Sequence, residues 1–315
     1  MIGSDQALLH NQQDLPAMLF FPAAKSGTRP PFPCSRLIGP ALVLGSLVSL
    51  AGCAGGTMVG SGGFTRSATP IAEYETADAS ASANLASLTD VVQRNPSDAG
   101  ALNTRGAAYA RIGRYQEAIA DFNAALKIEP NMATALTNRA LANRQIGRTD
   151  AALQDFNHAI EANPKHTAAY LGRANLLRTQ GSLDQAMSDL TQVIRLNPEN
   201  PQAFHARGLI RQRQGDQARA VSDFDNAIDR DPFTAAPYLA RGQSLSELGK
   251  YDAAIEDFNA ALNVDNRTPE GWLGLGLTYE RKGEKAKAIE NYNRVLVLDP
   301  NNSIARQGLS RVSRS

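Results

Sequence analysis

Four histidines and two cysteines are the side chains best suited to metal binding or nucleophilic attack, and their spacing argues for neither. His10, His158, His166 and His205 are dispersed, with no HExxH pair on one helix face and no Cys-His set at metal-ligand spacing. No GxSxG elbow, P-loop or glycine-rich phosphate loop after a strand occurs, and Gly274 and Gly276 in WLGLGLTYE fall inside a helical pattern. Cys34 and Cys53 crowd toward one end of 315 residues, so they cannot staple a fold of this size. No enzyme activity, cofactor or metal is expected. Two chemistries are left: a thiol placed for acylation, and arginines and carboxylates that recur at a fixed interval.

The thiol is Cys53, in LVSLAGCAGG. The apolar run before it, LIGPALVLGSLVSLA at 37–51, is fifteen residues long and broken by Pro40. That is short of the ~20 residues a membrane-spanning helix needs. It fits the apolar core of a secretory signal, with Lys25, Arg29 and Arg36 before it and small residues after. Leu50-Ala51-Gly52-Cys53 resembles the bacterial lipobox. The resemblance implies a signal region over 1–52, cleavage before Cys53 and acylation of its sulfur. Residues 1–17, MIGSDQALLHNQQDLPA, carry none of this chemistry, so translation is expected to start at Met18 or later. Residues 53–80 are rich in Gly, Ala, Ser and Thr without an apolar period, and read as a flexible tether. Its reach is roughly 30 Å, from ~5–6 Å times the square root of its length.

With 43% apolar side chains the remainder can bury a sizeable core. The three basic and two acidic side chains of residues 1–52 come out of totals of 32 and 31, leaving 29 of each in residues 53–315. Such balance disfavours a nucleic-acid partner.

From Ala99 onward the sequence repeats every 34 residues. Pro130, Pro164, Pro198, Pro232 and Pro300 mark the interval, with Asn266 in the missing slot. Six units follow: 99–132, 133–166, 167–200, 201–234, 235–268 and 269–302. Position 15 of each is Gly (113, 147, 181, 215, 249, 283), position 20 is Ala, and position 24 is Phe122, Phe156, Leu190, Phe224, Phe258 or Tyr292. The pattern predicts helix, turn, helix: positions 4, 8 and 11 share one face, as Leu102, Gly106 and Tyr109 do in the first unit. Small residues at positions 8 and 20 let two antiparallel helices approach, the glycine stops the first helix, and the proline stops the second. Asn200-Pro201 and Thr268-Pro269 read as caps followed by proline in the first turn.

This pattern resembles the tetratricopeptide repeat (TPR) family over residues 99–302. The resemblance implies an all-α, right-handed superhelix (an α-solenoid) spanning 81–315. An N-terminal capping helix is expected around 83–96, with Leu88 and Val91 inward, and a C-terminal cap over 303–315. That last helix would begin at Ser303, turn Ile304, Leu309 and Val312 inward, and leave Arg306, Arg311 and Arg314 wet.

The recurring charges occupy positions 7 and 23. Position 7 holds Arg105, Arg139, Arg173, Arg207 and Arg241, then Leu275; position 23 holds Asp121, Asp155, Asp189, Asp223 and Asp257, then Asn291. Both charges vanish together in the sixth unit, which predicts that they pair across the hairpin or to the adjacent unit as a structural ladder.

In TPR proteins the first helices line a concave groove through positions 2, 5, 9, 12 and 13. Carried to this chain, the groove holds Asn103 and Arg111, then Thr137, Leu141 and Arg144, then Leu171, Asn175 and Arg178. It continues with His205, Leu209, Gln212 and Arg213, then Leu239 and Gln243, then Leu273 and Leu277. Amide, apolar and arginine groups of this kind suit an extended peptide. Basic residues gather in units one to four, and the acidic Glu247, Glu270 and Glu280 in the last two. Chaperone-clamp relatives carry Lys and Asn at positions 5 and 9 of their first unit; Asn103 and Ala107 stand there instead, which argues against that activity. The combined features resemble bacterial TPR lipoproteins of the NlpI-like kind. They imply a lipid-anchored adaptor on the periplasmic side of the outer membrane that binds protein or peptide partners. A structural subunit of an envelope machine (outer-membrane assembly or a pilus pilotin), a homodimer, and a cytosolic scaffold should the lipobox be false stay open as alternatives.

Overall fold

The computed structural model describes residues 84–314. Signal region, Leu50, Ala51, Gly52, Cys53 and tether all lie outside them. The described residues form fourteen helices and no strand. Helix α1 covers 84–94. Six hairpins follow: α2 (Ala99–Arg111) with α3 (Tyr115–Ile128), α4 (Ala133–Gln145) with α5 (Thr149–Ala162), and α6 (Thr167–Thr179) with α7 (Leu183–Leu196). Then come α8 (Pro201–Arg213) with α9 (Gln217–Arg230), α10 (Ala235–Glu247) with α11 (Tyr251–Val264), and α12 (Pro269–Lys282) with α13 (Lys285–Leu298). Helix α14 (Ser303–Arg314) covers the end. No helix among the described residues is long and apolar enough to cross a membrane.

Each hairpin turns at its position-15 glycine, where φ lies between 75° and 84° in all six units. A side chain is disfavoured in that left-handed backbone, so the first helix stops there. The second helix packs back because position 24 fills the gap between the helices. Phe122, Phe156 and Phe224 are completely buried, each contributing on the order of 2–3 kcal/mol. Their rings explain the small residues of the first helices. A Cβ added to Gly208 would sit 2.5 Å from the Phe224 ring of its own unit. One added to Gly172 would sit 2.4 Å from Phe156 of the preceding unit. The same aromatic thus closes its own hairpin and seats the next, which is how neighbouring modules share one continuous core.

Successive first helices touch one another, as do α2 with α4, α4 with α6 and α10 with α12, whereas successive second helices do not. The stack therefore curves toward its first helices, which form the inner face.

Three local expectations are corrected. Val91 is exposed and Val92 is buried in its place, because Val92 is the residue that α1 turns into the core cluster with Ala99 and Leu102. The cap of α14 is Asn302, whose Oδ1 accepts from the Ala305 amide at 3.0 Å, while Ser303 is already helical. Asn200 caps α8 by accepting from the Ala203 amide, but the Thr268 side chain makes no such bond to α12.

Candidate binding face

The charges at positions 7 and 23 meet across each hairpin. Arg105 donates from Nε and Nη2 to the two oxygens of Asp121 at 2.8 and 2.7 Å. Arg139 forks in the same way onto Asp155, Arg173 onto Asp189 and Arg241 onto Asp257. Arg207 grips Asp223, which Arg211 also approaches at 2.9 Å. All five aspartates are buried. A bidentate, charge-assisted pair satisfies a carboxylate that burial alone would penalise.

The remaining guanidinium nitrogen reaches backward. Arg139 Nη1 donates to Asn123 Oδ1, Arg173 Nη1 to Asn157 Oδ1 and Arg241 Nη1 to Asp225 Oδ1, each at 2.7 Å. These acceptors stand at position 25 of the preceding unit, so one arginine ties two hairpins together. Hydrogen bonds to Asp189 hold Arg173, and those to Asp257 then Asp225 hold Arg241, above the ordinary arginine range. In the sixth unit Leu275 is buried where the arginine would be, and Asn291 turns to its own helix, donating to the Lys287 carbonyl.

The inner face sorts the groove residues into three groups. Several are spent on the fold. Thr137 is buried and donates to the Ala133 carbonyl, so it offers nothing to a ligand, contrary to the sequence expectation. Leu171 and Leu273 are likewise buried. Gln212 donates to the Ala240 carbonyl and Ser244 Oγ, joining α8 to α10, and Asn103 accepts from Asn138. A second group is half-buried and apolar: Leu141, Leu209, Leu239 and Leu277 each rest on the core with one side open. Asn175 and Gln243 are half-buried beside them, and Arg111 is exposed.

The third group is electrostatic. Arg144 and Arg178 are half-buried and Arg213 is exposed, on the adjacent helices α4, α6 and α8. No described residue pairs with any of the three, and Arg178 Nε is buried without an acceptor. Burial pulls Arg144 below the ordinary arginine range. Arg178 is lowered first by burial and then by the charges of Arg213 and Arg144. His205, its ring tilted against Phe224 at 5.8 Å, is pushed down to about 4 by burial and then by Arg178.

Farther along the inner face two of the three acidic residues are matched, and Glu270 is exposed without a partner among the described residues. Glu247 pairs with Arg281 at 2.7 Å. Glu280 accepts from Arg311 at 2.7 and 2.9 Å and from the Tyr292 hydroxyl. Arg311 chiefly holds that carboxyl below its usual range, while burial and then Glu280 push Tyr292 upward. No group of three His, Cys, Asp or Glu that could hold a metal occurs among the described residues.

Models of two families, both described as tetratricopeptide repeat, match the chain: one over 137–201, 171–237 and 239–303, the other over 97–165. No curated protein sequence matches it. Among solved structures it is similar to the APC/C hetero-tetramer Cut9-Hcn1, with 23% identity and a TM-score of 0.63, over 71% of this chain but only 45% of that one. It is similar to pilF of Pseudomonas aeruginosa at 16% identity and a TM-score of 0.63, covering 70% of this chain and 99% of that one. The type IV pilus biogenesis factor PilW gives 16% identity and a TM-score of 0.61, with 67% and 98% covered. At such identities the likeness is one of fold.

Proposed function

Since the chain belongs to the tetratricopeptide repeat family, we propose that it is a non-catalytic adaptor of the bacterial cell envelope. Acylated Cys53 anchors it, and its inner face recruits protein partners in extended form. TPR modules are generally protein-binding scaffolds, and the observation that carries the reading is the composition of that face. Half-buried leucines and arginines without a partner among the described residues line the inner face of successive first helices, where an extended chain can place alternate side chains. Ala54 rather than an aspartate after Cys53 supports sorting to the outer membrane, by the rule known for enteric bacteria.

A second reading makes the protein a permanent subunit of a pilus machine. The near-complete coverage of pilF and PilW favours it, and the two readings share the anchor and the face. Labelled palmitate should enter the wild type and be absent from Cys53→Ser; equal labelling would remove the anchor from both. Crosslinked co-purification from membranes then separates them. Varied, substoichiometric partners indicate an adaptor, and one stoichiometric partner indicates a machine part.

A further inference from the structure

We propose that Arg144, Arg178 and Arg213 form a carboxylate-reading subsite, which selects partner segments that carry an acidic side chain or chain end at units two to four. The inference rests on the groove reading above and narrows its ligand.

Residues 53–315 hold equal numbers of acidic and basic side chains, so carboxylates are available to pair with every arginine. All five ladder arginines are paired. The inner three have no partner among the described residues, and they lie close enough for Arg178 to feel the charge of both neighbours. Like charges gathered without counter-ions cost the free protein stability, and so does a buried guanidinium nitrogen without an acceptor. An anion seated among the three offsets the gathered charge. The fork geometry of guanidinium matches a carboxylate bidentately, as the ladder shows five times within this molecule.

The surroundings favour a peptide as the carrier. Leu141 and Leu209 present apolar surface beside the arginines. A nucleic acid would need a basic track following its backbone. Here the row ends at α8, and beyond it the inner-face acids Glu247 and Glu280 are neutralised by Arg281 and Arg311. The clamp positions of chaperone-binding relatives are not involved, because Asn103 and Ala107 occupy them.

The test is to pan a random peptide library displayed on phage against the immobilised full chain. Peptides recovered by the wild type should carry Asp or Glu at a fixed place among apolar residues. Arg144→Gln/Arg178→Gln/Arg213→Gln should lose that acidic preference about tenfold or more while still recovering apolar peptides and keeping its helical circular dichroism. Recovery of peptides without acidic preference would overturn the inference and leave the groove reading standing. So would an acidic preference that persists in the triple variant. A tenfold preference for phosphoserine over glutamate in the same peptide would assign phosphate instead, again overturning it. Recovery of no peptide at all would remove the groove reading beneath it.

Discussion

Arg173 and Arg178 stand five residues apart on α6, yet they meet opposite electrostatic environments. Arg173 faces the hairpin partner, grips the two oxygens of Asp189 and reaches back to Asn157. Arg178 faces inward, has Arg144 and Arg213 for neighbours, and buries an Nε without an acceptor. Burial opposes both charges; only Arg173 has a carboxylate that more than offsets it, so the two are shifted in opposite directions. The difference teaches where this solenoid spends charge on holding itself together and where it leaves charge unspent. A paired, buried arginine resists replacement because its partner has no other compensation. An unpaired one can be removed at no cost to the fold, which is the signature of a group kept for an outside ligand.

The largest effect should come from breaking the paired side. Arg173→Leu leaves Asp189 buried and uncompensated and should cost about 3–5 kcal/mol. Adding Asp189→Asn should restore much of that, because the sixth unit already carries Leu275 and Asn291 in these places. Equal melting temperatures for the single and double variants would refute the pairing as a stabilising device.

Next comes the histidine beside the unpaired side. His205 is held down at about 4 in the fold, against an unfolded value of ~6.5. The unfolded chain therefore binds more protons between these values. The stabilisation is complete above pH ~6.5 and is lost as pH falls toward 4, by as much as about 3 kcal/mol. Melting temperatures of wild type and His205→Gln, compared at pH 7.5 and 4.5, should show the smaller drop in the variant. Parallel drops would mean that His205 is protonated as easily folded as unfolded.

The smaller, sharper test is Arg178→Gln. Relief of like charge and of the unsatisfied nitrogen should raise stability by ~0.5–1 kcal/mol. A loss comparable to that of Arg173→Leu would make the inner row a structural element like the ladder and end the comparison.

The sequence made one half of this comparison readable and hid the other. Hairpins, turns and the ladder were legible because a repeat writes the same physical constraint six times; the joint loss of Arg and Asp in the sixth unit even disclosed the pairing. The backward bond from the ladder arginines was missed, although Asn123, Asn157 and Asp225 all stand at position 25. The inner face was less legible for a physical reason. Family positions say which way a residue points, not whether it is already engaged. Thr137 points inward and is consumed by its own helix, and Gln212 is consumed by the next hairpin. Whether an arginine has a partner depends on carboxylates in its own or the neighbouring unit. That is why Glu247 and Glu280 could be located in sequence but not recognised as already neutralised, whereas Glu270 is exposed with no partner among the described residues.

Glu247 and Arg281 offer the smallest effect and the closest control on that point. Their pair is 2.7 Å long but both side chains are more than a third exposed, so water screens it and little side-chain order is gained. Glu247→Gln should change stability by less than about 1 kcal/mol, visible as a melting shift far below that of Arg173→Leu. It removes the carboxylate partner of Arg281 on the inner face of α12, leaving that exposed guanidinium with the Ser246 hydroxyl at 3.4 Å and with Glu280, already held by Arg311, as its nearby charge. If unpaired charge alone makes an anion site, this variant should gain acidic-peptide preference in the last unit. If neighbouring cations and partial burial are needed, as on α4, α6 and α8, it should gain none. The second outcome is expected, because a single exposed guanidinium keeps its hydration and has little to recover from a carboxylate.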